Sequence, residues 1–161
     1  VSDFVSKKPE VSEFGSVDPA PASEFKEVPK LREILCNENE RMFQRMRSLF
    51  ALRNIGGGDS VDALAKAFDS DSALLKHEIA YVLGQMQDDR AVPCLIERLE
   101  DLNEDLMVRH EAAEALGAIG NRTAMSTLEK FVDDEEPVIA ESCEVAIDLL
   151  NWVSGKKFDY S

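Results

Sequence analysis

The chain holds only two histidines, His77 and His110, and each is followed directly by a glutamate, Glu78 and Glu111. Each also stands seven residues before a glycine that follows a leucine, in Leu83-Gly84 and Leu116-Gly117. Two imidazoles and one carboxylate make a donor set that suits non-haem iron and leaves positions open for oxygen. A duplicated His-Glu dyad therefore points to metal chemistry, provided the fold brings the two copies together. Acid–base work by the histidines without metal has weaker support, because local spacing places no serine or cysteine nucleophile beside them. Gly56-Gly57-Gly58 lacks the flanking pattern of a phosphate loop and reads as a hairpin connection.

Both dyads lie in amphipathic helical stretches. On a wheel of about 100° per residue, Leu75, Ile79, Val82, Leu83 and Met86 share one face, His77 lies almost opposite, and Glu78 flanks it. The second copy keeps that phase: Val108, Ala112, Ala115, Leu116 and Ile119 form the stripe, His110 faces away, and Glu111 flanks. Gly84 and Gly117 fall on the histidine face two turns on, where they are expected to leave room for a ligand. Tyr81 and Glu114, one turn beyond each histidine, are pocket candidates from the wheel alone.

The surrounding chain explains how two such helices come to be neighbours. Residues 1–28 are rich in Ser, Glu, Pro and Val without a regular period and read as a flexible linker or arm. From 29 to 153 the pattern is a series of helices: Leu31 to Cys36, Arg41 to Asn54, Val61 to Phe68, one capped by Asp71 or Ser72 and running to about Gln87, about Ala91 to Glu100, one capped within Asn103 to Asp105, about Thr123 to Val132, and Pro137 to Val153. A polar tail occupies 154–161. Leu52, Leu83, Leu116 and Ile147 fall 31, 33 and 31 residues apart in equivalent contexts, so the unit repeats about four times. The expected fold is all-α, with HEAT-like helical hairpins stacked into a short solenoid and dyad helices roughly 10 Å apart. In the first copy Met46 and Arg47 hold the dyad positions, and in the last Glu141 and Ser142 do.

A length of 161 residues with 44% hydrophobic content fits one core. A net charge of −14 and the lack of a basic stripe exclude nucleic acid as a partner. No apolar run approaches the roughly 20 residues of a membrane span, and there is no apolar signal segment, so a soluble cytoplasmic location is expected. Cys36, Cys94 and Cys143 are odd in number and widely spaced, as expected of reduced thiols; Cys94 and Cys143 read as core residues. Two readings of the dyads stay open on these grounds. They form part of a metal site, or they are solvated polar positions kept by duplication in a non-enzymatic HEAT-like scaffold that binds a basic protein on an acidic face.

The stretches Leu-Lys-His-Glu-Ile-Ala-Tyr-Val-Leu-Gly-Gln at 75–85 and Met-Val-Arg-His-Glu-Ala-Ala-Glu-Ala-Leu-Gly-Ala-Ile at 107–119 resemble the carboxy-terminal half of the deoxyhypusine hydroxylase family. Ser16-Val17-Asp18-Pro19-Ala20-Pro21, Phe50-Ala51-Leu52-Arg53-Asn54 and Glu141-Ser142-Cys143-Glu144-Val145-Ala146 extend the likeness over nearly the whole chain beyond the first fifteen residues. The resemblance implies a HEAT-repeat monooxygenase with a di-iron centre, which uses dioxygen to hydroxylate the deoxyhypusine side chain of a translation factor. It implies iron-ligand roles for His77, His110 and Glu111, and for Glu78 the acid that meets the substrate amine. Bilin lyases share the repeat style but are not suggested by the dyads.

The family carries two similar halves with two dyads each, whereas this chain has two dyads and begins with Val rather than Met, which suggests a fragment. A di-iron site then needs the amino-terminal half or a second copy of the chain. The 161-residue chain alone is accordingly expected to fold, to bind metal weakly or not at all, and to show no hydroxylase activity. A turnover assay with iron and substrate supplied checks this, and full activity would refute it.

Overall fold

The structure, a computed structural model, describes residues 8–155. Residues 1–7 of the expected arm and 156–161 of the expected tail lie outside the described residues. Eight α-helices are found among the described residues: α1 (Val28–Leu35), α2 (Met42–Ile55), α3 (Gly58–Lys66), α4 (Ala73–Met86), α5 (Val92–Glu100), α6 (Leu106–Ile119), α7 (Met125–Phe131) and α8 (Pro137–Val153). They pair as four hairpins. The second helices, α2, α4, α6 and α8, stand side by side in chain order, and α1, α3, α5 and α7 cover one side of that layer. The chain is the expected all-α solenoid of hairpins. None of the described helices is long and apolar enough to cross a membrane.

Local chemistry sets the boundaries. Ser72 caps α4 by accepting from the Leu75 amide, and Asp105 caps α6 by accepting from the Met107 amide, as the sequence places them. The first helix starts at Val28, three residues before its expected position, with Pro29 in its first turn where no amide donor is needed. Only Gly56 and Gly57 form the connection between α2 and α3, at φ of +69° and +85°. Gly58 is already helical, so the expected start at Val61 is late. Short 3-10 turns at Asp89–Ala91 and Arg122–Ala124 lead into α5 and α7, which begin slightly later than their periodicity predicts.

The core is one continuous cluster of buried apolar side chains from Ala20 to Leu150. Leu75, Ile79, Val82 and Leu83 of α4 are fully buried, as are Val108, Ala112 and Leu116 of α6. Two arginines tie hairpins shut from inside. Arg45 Nε donates to the Leu35 carbonyl at the end of α1, at 2.8 Å, and Arg109 Nε donates to the Leu99 carbonyl near the end of α5, at 2.9 Å. Each supplies a partner to a carbonyl that the helix terminus leaves open. Lys76 holds the equivalent place in α4 and reaches Glu104 at 2.7 Å instead. Buried Cys143 and half-buried Cys94 behave as core residues, their thiols pushed up to about 11 by burial.

Among the described residues, 8–27 before α1 contain no helix, but they are docked. Val11 and Val17 form an isolated antiparallel bridge, and the Ser12 amide donates to the Ser16 carbonyl. Arg53, buried between the Phe14 and Phe50 rings, donates to Asp18 through both terminal nitrogens at 3.0 and 2.6 Å. It also donates to Gln85 Oε1 at 2.9 Å.

The glycines of the dyad helices serve packing. A Cβ on Gly84 would lie 3.1 Å from the Ala115 Cα, and one on Gly117 would lie 3.0 Å from both the Ala146 Cα and Cβ. Ala115 and Ala146 stand where those Cβ atoms would be, and the absent side chains let these backbones approach. Gly117→Leu should therefore force α6 from α8 and lower the unfolding free energy by about 1–3 kcal/mol, read from the urea midpoint.

Candidate metal centre

Ile79, Val82 and Leu83 of α4 and Ala112, Ala115 and Leu116 of α6 are buried together, which brings the polar flanks of the two helices into contact. There Glu111 Oε2 lies 2.9 Å from His77 Nε2 and 3.5 Å from His110 Nε2. One carboxylate oxygen thus sits between two imidazole nitrogens from adjacent repeats. Neither ring projects into solvent as the isolated wheels predict, since 33% of the His77 side chain and 18% of the His110 side chain is exposed. Glu111, expected on the flank of α6, is buried because α4 covers that flank. His110, Glu111 and Glu114 each offer a ligand atom within 4.8 Å of the other two.

Desolvation dominates the electrostatics. Burial pushes the Glu111 carboxyl above its ordinary range; His77 and His110 pull it down, and Glu114 pushes it further up. Burial likewise raises Glu78, against the pull of His77 and with a further push from Glu111 and Asp18. Acidic groups gathered out of water repel one another, and a cation among them relieves both costs. Two imidazoles and a carboxylate are also the donor types that ferrous iron takes. The donors drawn close enough together for one divalent cation are those of His110, Glu111 and Glu114, and His77 reaches the same Glu111 oxygen from α4, where Glu78 follows it in the chain.

The remaining candidates divide. Tyr81, Gly84 and Glu114 line a cleft of about 300 Å³ together with Gln85, Glu111, Ala115 and Ala118. Gly117 does not line it and packs against Ala146. Two contributors escaped sequence reasoning. Gln85 links the cleft to the docked segment, its Nε2 donating to Ser16 Oγ at 3.0 Å and to the Tyr81 hydroxyl at 3.4 Å. Ser142 Oγ lies 2.7 Å from His110 Nδ1. The signal for Ser142 was present: it occupies the dyad glutamate position of the fourth copy.

Comparison with known proteins agrees with this architecture. The family model for HEAT repeats matches residues 61–148, and that for the PBS lyase HEAT-like repeat matches 44–70. Deoxyhypusine hydroxylase of Homo sapiens is 46% identical over 154 residues, covering 96% of this chain and 51% of that protein. Deoxyhypusine hydroxylase-B of Oryza sativa subsp. japonica is 49% identical over 152 residues, covering 93% and 50%. The solved structure of human deoxyhypusine hydroxylase in complex with glycerol superposes with a TM-score of 0.87 at 47% identity, covering 90% of this chain and 50% of that one. The chain thus spans about half the length of the curated relatives it matches.

The raised Glu78 carboxyl has a measurable consequence in the metal-free chain. Below the ordinary glutamate range the folded and unfolded states are both protonated there, and Glu78→Gln should match the wild type. As pH rises through the unfolded value of about 4.3 and then through the higher folded value, ionisation costs the folded state more, so wild-type stability should fall relative to Glu78→Gln. Urea midpoints of both proteins from pH 4 to pH 7 check this; a gap that closes with rising pH would contradict it.

Proposed function

The chain belongs to the HEAT-repeat family, and from that premise we propose that it supplies one half of an iron-dependent monooxygenase that hydroxylates the deoxyhypusine side chain of a basic translation factor. The observation that carries the proposal is the single Glu111 oxygen set between His77 Nε2 and His110 Nε2. Similarity to deoxyhypusine hydroxylases over nearly the whole chain supports this reaction and substrate class. The relatives are about twice as long, so the proposal includes a second half contributing equivalent dyads.

In this reading His77, His110 and Glu111 hold iron, which when bound supplies the activation of dioxygen. The protein's own work is reception and placement. Glu78, with a carboxyl raised by burial and by Glu111, gains most when an ammonium group enters beside it and restores its charge. Glu114 and Tyr81 flank the cleft through which an extended amine would lie. The net charge of −14 favours approach of a basic protein. Cytoplasmic residence follows from the proposed substrate.

Metal analysis of the complete two-half enzyme separates these roles. His77→Ala and His110→Ala should each lose the iron associated with this half, whereas Glu78→Gln should retain iron and lose turnover by about 100-fold or more, as for removal of a positioned charged group. Unchanged iron content in both histidine variants would refute the assignment.

A further inference from the structure

The fourth hairpin has no His-Glu dyad, yet it repeats the way one dyad touches the next. Glu111, the second dyad residue of the third hairpin, meets His77 of the second hairpin. Ser142 stands at the corresponding position of the fourth hairpin and meets His110 of the third. The contacts differ in the nitrogen they use: Glu111 addresses Nε2 of His77, whereas buried Ser142 addresses Nδ1 of His110.

Hydrogen accounting fixes the direction of the second contact. Ser142 Oγ lies 2.5 Å from the Val138 carbonyl oxygen, which carries no hydrogen, so the hydroxyl hydrogen occupies that contact. Oγ then has only lone pairs left for the imidazole, and at 2.7 Å His110 Nδ1 must be the donor. The two carboxylates beside the ring pull in opposite directions, Glu114 from 3.8 Å on Nδ1 and Glu111 from 3.5 Å on Nε2, so the much shorter Ser142 contact decides the tautomer. A neutral ring with its hydrogen on Nδ1 presents the Nε2 lone pair towards Glu111. A serine bonded only to the carbonyl four residues back is a common helix feature without further meaning; here its remaining lone pairs meet an imidazole from the adjacent repeat.

We propose that Ser142 is a positioning residue that holds His110 in the Nδ1–H tautomer and so reserves Nε2 for metal. The metal part rests on the iron-site reading above; the tautomer part does not. Serine orients the ring without adding another charge to Glu78, Glu111 and Glu114, whereas a glutamate, as in the two dyads, would add one.

The test is a two-bond nitrogen–proton correlation spectrum of the metal-free chain labelled with ¹⁵N-histidine, recorded where the imidazoles are neutral. With two histidines in the chain, a His77→Gln spectrum assigns both rings. His110 should carry its hydrogen on Nδ1 in the wild type, shift towards the Nε2–H form in Ser142→Ala, and return in Ser142→Thr. In the two-half enzyme, iron affinity should fall by about 10–100-fold in Ser142→Ala and recover in Ser142→Thr. A wild-type ring protonated on Nε2, a Ser142→Ala spectrum identical to wild type, or unchanged iron affinity in Ser142→Ala would each overturn the proposal. Because the spectrum needs no metal, its outcome is separate from whether His110→Ala releases iron.

Discussion

The contacts of Gly84 with Ala115 and of Gly117 with Ala146 set how closely α4, α6 and α8 approach, and the polar face depends on that approach. Side chains larger than alanine at these crossings would part the backbones. His77 would then lose the 2.9 Å contact with Glu111, and His110 the 2.7 Å contact with Ser142. A small-residue seam behind the polar residues thus does what bulkier cores do elsewhere through shape. It leaves little freedom for the helices to slide, because the contact is made by backbone atoms rather than flexible side chains.

The polar face opposes its own stability in the metal-free chain. Glu78 and Glu111 are drawn out of water close to each other, and burial raises both carboxyls. The scaffold offsets such a cost with interactions placed elsewhere. Arg53 is buried against Asp18 and Gln85, and removing one partner of a buried ion pair typically costs about 3–5 kcal/mol. Arg45 and Arg109 fasten hairpins at their turns with single hydrogen bonds to helix-end carbonyls. Local discomfort at one face and firm closure around it is the expected signature of a binding site on a rigid frame.

Much of this was legible in the sequence because a repeat states its phase more than once. The buried stripes, the caps at Ser72 and Asp105 and the adjacency of the dyads follow from helical periodicity and the spacing of the copies. What a single helix wheel leaves out is the neighbour. Glu111 reads as a flank residue until α4 is laid over it, and the close approach of Ala115 to Gly84 and of Ala146 to Gly117 is visible only once the neighbouring helices are in place. The prolines fit the lack of helix in residues 8–27, but the docking of that stretch through Asp18 depends on Arg53, 35 residues away. Ser142 holds a dyad position in the fourth copy, but its residue type gives no sign of the contact with His110.

The unequal repeat lengths have a consequence for how such a chain can change. The helices α2, α4 and α6 are each 14 residues long. The longer step from α4 to α6 is absorbed outside them: Gly56 and Gly57 suffice between α2 and α3, whereas residues 87–91 separate α4 from α5. A residue inserted in a connection leaves each helix pointing as before. One inserted within α4 or α6 would turn everything beyond it by about 100° and carry a histidine or its glutamate out of the shared groove. Natural length variation should therefore collect in the connections, and the two dyad helices should behave as indivisible words in which a single added letter destroys the sense.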